Sequence, residues 1–115
     1  MRSPRRGQIF RLKSDAAGKK RPALIVSRNE LNGGIYVLAA PFYSEQIEKR
    51  RQLRQCVLFQ SGEYGLDKTC VLKADEVSLF KISELRIAEG AIGELDEPRL
   101  RLVATALAYA LGLGG

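Results

Sequence analysis

The sequence has no histidine, no tryptophan, one methionine and only two cysteines among its 115 residues. Without histidine the chain lacks both the commonest general base and the commonest zinc ligand. Cys56 and Cys70 lie in apolar surroundings and not in a CxxC pair, so they make poor metal ligands and too thin a disulfide framework for a small secreted protein. Both read as reduced core thiols of a cytoplasmic protein. No apolar run approaches the ~20 residues of a membrane span, and no basic-then-apolar leader opens the chain, so no membrane partner is expected. Internal repeats, low-complexity tracts and long linkers are missing too. Residues 1–115 therefore read as a single domain, 45% hydrophobic, with a core modest enough that an oligomer fits.

Acidic residues are scarce in one half only. Residues 1–54 hold 13 Lys and Arg against 4 Asp and Glu, a net of +9, whereas residues 55–115 hold 6 against 9, a net of −3. The overall +6 charge and pI near 9.6 thus come from the N-terminal half. That asymmetry suits a polyanion surface, either nucleic acid or an acidic protein segment. The plainer alternative is a soluble basic domain with scattered surface lysines.

Hydrophobic patterning predicts strands first and one helix last. "GQIFRLK" (7–13) alternates weakly and reads as a strand entered through Arg2, Arg5 and Arg6, and "SDAAGKK" (14–20) has loop chemistry. "PALIVSR" (22–28) is a run of branched apolar residues suited to a strand covered on both faces. "NELNGG" (29–34) supplies a reversal, so "IYVLAAPF" (35–42) returns antiparallel beside it. "YSEQIEKRRQLR" (43–54) reads as a mobile loop or frayed helical turn. Strands are expected at "QCVLFQ" (55–60) and, after a wide turn, along the whole of "TCVLKADEVSLF" (69–80), with a short strand or turn around "LRIAEGAIG". Asp96 as cap, Pro98 in the first turn and Gly112 as terminator bound a helix. On it Leu100, Val103, Leu107 and Leu111 form the packing face. The fold class is α+β, a small curled sheet or barrel with the helix packed on it.

Five blocks in this order, "RGQIF", "KKRPALIVSRNELN", "VLAAP", "LDKTCVLKADEV" and "LDEPRLRLVATALAYALGL", resemble the MazF/PemK-type toxins of bacterial toxin–antitoxin pairs. The resemblance covers nearly the whole chain. It implies an SH3-like small β-barrel of the CcdB/MazF kind with a C-terminal helix, acting as a homodimer. It also implies metal-independent, sequence-selective cleavage of single-stranded RNA, with no cofactor. Attack by the ribose 2′-hydroxyl would leave a 2′,3′-cyclic phosphate and a 5′-hydroxyl end. The partner implied is a cognate acidic antitoxin whose C-terminal segment covers the RNA groove.

Such a transesterification needs a base for the 2′-hydroxyl, cationic donors for the phosphorane and an acid for the leaving oxygen. Arg21 matches the family arginine before proline and is the candidate phosphate clamp; the alternative is a solvated charge at a strand entry. Lys19 and Lys20 beside it would position the RNA backbone. Where the family commonly carries Thr after the second apolar strand, this chain has Tyr43 and then Ser44. Either hydroxyl fits the role, and Tyr43 equally fits packing or stacking on a base. In "VLKADEV", strand period puts Lys73 and Asp75 on one face. Asp75 is then the candidate proton acceptor and Lys73 a source of charge, with a bland surface ion pair as the alternative. Arg50 and Arg51 sit in a charged loop that is either simply solvated or in contact with phosphate.

Two rival functions share the fold. A gyrase poison of the CcdB type relies on a C-terminal tryptophan, which this chain lacks. An inert RNA- or antitoxin-binding relative is suggested by the departures at Tyr43, Ser44 and Lys73.

Overall fold

The computed structural model describes residues 3–14, 18 and 20–113. In chain order the elements are strands β1 (Gln8–Arg11), β2 (Pro22–Ile25) and β3 (Tyr36–Tyr43), a one-turn helix α1 (Ile47–Arg50), strands β4 (Cys56–Phe59), β5 (Cys70–Lys73), β6 (Ser78–Lys81) and β7 (Gly93–Glu94), and the terminal helix α2 (Glu97–Leu111). All pairings are antiparallel, in the order β4-β5-β3-β2-β1-β7, with β6 also pairing with β3. Eight-residue β3 is the spine of the sheet. One edge carries β2; the other carries β6 along Tyr36–Ala39 and β5 along Phe42–Tyr43. Changing partners along one edge curls the sheet into a half-barrel.

The expectation that β2 is covered on both faces is met. Ile9, Leu24 and Ala40 stand in register across β1, β2 and β3 and join Phe42, Phe59, Leu72 and Val103 in one core under α2. Their neighbours Phe10, Ala23, Ile25 and Ala39 point the other way, into a second core with Val37 and Leu85. Alternation with both sets apolar is the mark of a doubly covered strand.

The predicted helix forms as read at its ends. Asp96 accepts a hydrogen bond from the Arg99 backbone N–H at 3.1 Å, and Gly112 closes the helix at φ +71°. Its inner face is as expected at Val103, which is buried, and at Leu100 and Leu107, which pack against the core; Ala106 is buried too, and Leu111 alone departs, at 60% exposed. Leu111 is the last residue of α2, directly before the Gly112 cap. The predicted strand over 69–80 is also interrupted. A 3-10 turn at Ala74–Glu76 separates β5 from β6 and lets the chain pass from one part of β3 to another.

At the β2–β3 connection, "NELNGG" makes a 3-10 turn at Asn29–Leu31 whose anchor is the fully buried Asn32. Its Oδ1 accepts from Ser27 Oγ, and its Nδ2 donates to the Ser27 carbonyl at 3.1 Å. Ser27 Oγ accepts in turn from the Leu38 N–H at 3.1 Å. Because this polar cluster is internally satisfied, removing one member leaves buried groups without partners. Asn32→Ala should therefore lower stability by about 2 kcal/mol in urea unfolding, with unchanged m-value. A loss below about 0.5 kcal/mol, the scale of ordinary surface substitutions, would contradict this role.

Candidate active site

The β2–β3 register sets Ala23 against Pro41; continued two residues, it brings Arg21 opposite Tyr43. Arg21 is fixed from both sides, by Pro22 and by its carbonyl, which accepts from the Leu12 N–H at 2.9 Å. Its side chain is only 11% exposed. Nη1 donates to the Phe42 carbonyl at 3.3 Å, and the guanidinium carbon lies 4.1 Å from the centre of the Tyr43 ring.

Two further cations reach the same ring. Gln46, in the left-handed region at φ +54°, turns the chain from the end of β3 into α1, which brings the Arg50 guanidinium to 5.0 Å from the ring centre. Lys73, at the end of β5, lies diagonally across the β3–β5 pair, with Nζ 5.2 Å from the centre. An aromatic face attracts each cation by about 0.5–1 kcal/mol, but three together repel one another. Carboxylates offset that repulsion. Glu76 accepts from Tyr43 Oη–H at one oxygen and from Lys73 Nζ, 2.5 Å away, at the other. Glu45 Oε2 lies 3.9 Å from Nη1 of both Arg21 and Arg50, and the Glu45 carbonyl accepts from Arg50 at 3.2 Å.

The electrostatic consequences follow. Burial, the hydrogen bond to Glu76 and the Glu76 charge push the Tyr43 phenol up to about 12, against the pull of Arg21 and Arg50. Burial raises the Glu76 carboxyl, but hydrogen bonds from Lys73 and Tyr43 and the charges of Lys73 and Arg50 outweigh it and hold the group below the usual carboxylate value. At neutral pH the phenol is protonated and the carboxylate ionised. Two largely buried arginine side chains bring their guanidiniums to one aromatic ring, an arrangement suited to gripping a phosphate.

Of the residues singled out from sequence, Arg21, Tyr43, Arg50 and Lys73 converge. Ser44 is exposed just beyond β3, and Lys20 is exposed before Arg21. Lys19 lies outside the described residues. Arg51 pairs with Glu48 on the surface, at 3.4 Å. The expected Lys73–Asp75 pair is not formed. The 3-10 turn rotates Asp75 outward, where it is exposed and raises the Cys56 thiol, already pushed up by burial. Glu76 takes the inward place three residues after Lys73. A cavity of about 730 Å³, lined by Lys13, Ile82, Leu85, Arg86 and Ile87 among others, shares no residue with this cluster.

A sequence profile of the PemK-like, MazF-like toxins of type II toxin–antitoxin systems matches residues 5–111. The chain belongs to this family. The fold agrees: an endoribonuclease in complex with its cognate antitoxin, from a mycobacterial species, superposes with a TM-score of 0.79 at 30% identity over 98% of this chain and 99% of that one. A second mycobacterial endoribonuclease gives 0.78 at 30% identity, covering 100% and 97%. The MazE–MazF complex of Deinococcus radiodurans, at 23% identity, shares the fold with a TM-score of 0.76 over 99% of this chain and 100% of that one. No curated protein sequence matches the chain. In this chain the candidate site is the cluster around the Tyr43 ring.

Glu76 and Glu45 are the site residues that sequence reasoning missed. A signal for Glu76 was present: Ala, Asp and Glu in succession are poor strand formers, and together they mark the break in 69–80. Glu45 had none, because only the turn at Gln46 brings Arg50 back to it.

The shifts predict a pH dependence. A phenol raised in the folded state favours folding below pH 10, and that contribution fades as pH rises toward 12. Absorbance titration near 295 nm, compared with Tyr43→Phe, should assign to Tyr43 a midpoint near 12, and Glu76→Gln should move it part of the way back. A Tyr43 midpoint of 10 in the unaltered protein would contradict the cluster.

Proposed function

We propose that this toxin is an endoribonuclease that cuts single-stranded RNA by attack of a ribose 2′-hydroxyl on the adjacent phosphate, without a metal ion. The products are a 2′,3′-cyclic phosphate and a 5′-hydroxyl end. The observation that carries this reading is the pair of largely buried arginines, Arg21 and Arg50, whose guanidiniums meet at one aromatic ring. They supply positive charge where a phosphorane would gain negative charge. Among the described residues no His, Cys, Asp and Glu side chains are grouped for a metal, and guanidiniums fill the electrostatic role. Glu76, rather than the exposed Asp75, is the carboxylate within reach to accept a proton. Lys73 counters its charge, while Lys20, next to Arg21, and Arg51, next to Arg50, are exposed cations. Ser44, exposed beside the ring, is a second hydroxyl available to the substrate.

An acidic antitoxin segment is the natural competitor for the same surface, since Glu45 already shows how a carboxylate sits between the two arginines. Two copies of the chain are proposed to pair, as the sequence resemblance implies.

In EDTA, the purified protein should cut a long single-stranded RNA at discrete sites bearing 5′-hydroxyl ends. Arg21→Ala should slow cutting at least ~100-fold while leaving the circular dichroism spectrum unchanged. Wild-type cutting by Arg21→Ala would remove Arg21 from the chemistry. Absence of cuts across a varied RNA pool, with RNA still bound, would favour the inert binder. Antitoxin affinity should fall steeply between low and physiological salt, and salt-independent affinity would argue against a charge-driven groove.

A further inference from the structure

We propose that the Tyr43 phenol oxygen is the acceptor that recognises the ribose 2′-hydroxyl, and that Glu76 and Lys73 are positioning residues which commit its hydrogen elsewhere. This rests on the ribonuclease reading and assigns to one atom the distinction between RNA and DNA.

A phenol has one hydrogen to donate and lone pairs to accept with. In this protein the hydrogen is directed to Glu76 Oε1, while Lys73 occupies Oε2 and holds the carboxylate still. Tyr43 can therefore meet a further ligand only as an acceptor. The cluster is open to such a ligand, because Tyr43 is half-buried and the Glu76 side chain is 38% exposed. Arg21 and Arg50 beside the same ring bind the phosphate, so the group reaching the phenol comes from the adjoining sugar. Along the sugar–phosphate chain of an internal nucleotide, the 2′-hydroxyl is the one hydrogen-bond donor, and deoxyribose has none. An acceptor-only phenol next to a phosphate clamp thus selects ribose.

The same contact gives the proton a path. As the 2′-oxygen bonds to phosphorus, its proton passes to Tyr43 Oη while the phenol hydrogen passes to Glu76. The bond from phosphorus to the 5′-oxygen breaks, and that oxygen takes a proton from water. Glu76 returns one proton to water, so none is gained or lost overall.

Recognition is separable from cutting. Two otherwise identical oligonucleotides are compared by fluorescence anisotropy, one with 2′-amino groups, which donate, and one with 2′-fluoro groups, which do not. Neither carries the attacking hydroxyl. The wild type should bind the 2′-amino strand about 3- to 10-fold more tightly, the worth of one hydrogen bond. Tyr43→Phe, which keeps the ring and its cations, should bring that ratio to one without weakening the 2′-fluoro strand. Glu76→Ala frees the phenol hydrogen and should narrow the ratio without erasing it. A wild-type ratio of one, or a ratio unchanged in Tyr43→Phe, would overturn the assignment whether or not RNA is cut. A protein that discriminates but does not cut would retain the assignment and lose the ribonuclease reading.

Discussion

The site depends on one aromatic ring that gathers three cations. Arg21, Arg50 and Lys73 arrive from three separate parts of the chain, and like charges at such spacing would separate if the ring and two carboxylates did not hold them. The ring attracts all three, Glu76 pairs with Lys73, and Glu45 bridges the arginines. The backbone sets these positions: the β2–β3 register aims Arg21, the left-handed Gln46 returns Arg50, and the break after β5 turns Glu76 inward. Each is a feature of main-chain geometry, so the curled sheet and the charged cluster form together.

A second cation–aromatic group shows by contrast what a structural one looks like. Arg99 lies 4.7 Å from the Phe59 ring centre and 5.4 Å from that of Tyr64, donates to the Leu58 carbonyl, and pairs with Glu63 at 2.9 Å. Its partners are core rings and a single carboxylate, and its effect is to pin the start of α2 to β4. Around Tyr43, among the described residues, two guanidiniums and an ammonium share one ring with two carboxylates, and the groups lie at a strand end near the surface. Cations clustered at such a place attract anions.

Much of this was legible in the sequence. Apolar runs marked the doubly covered β2 and its return in β3, and Asp96 and Gly112 marked the ends of α2, because caps and buried runs are local signals. Arg21 and Tyr43 were singled out from a resemblance, and the register then explains why they meet. What stayed hidden was long-range or depended on a local break. Leu111 fits the helical stripe, yet as the last residue of α2 it is exposed. Asp75 obeys strand period in a segment that is not continuous strand, so its place is taken by Glu76. Asn32 looked like turn chemistry and is instead a buried polar anchor, a role that only burial reveals.

The most direct test of the Tyr43 cluster as the site of RNA cleavage is a crystal structure with a short RNA blocked by 2′-O-methyl groups. The expected result is a backbone phosphate between the guanidiniums of Arg21 and Arg50, against the edge of the Tyr43 ring, with the Glu45 carboxylate displaced. Electron density for that phosphate elsewhere on the protein, with Glu45 still seated between the two arginines, would contradict it.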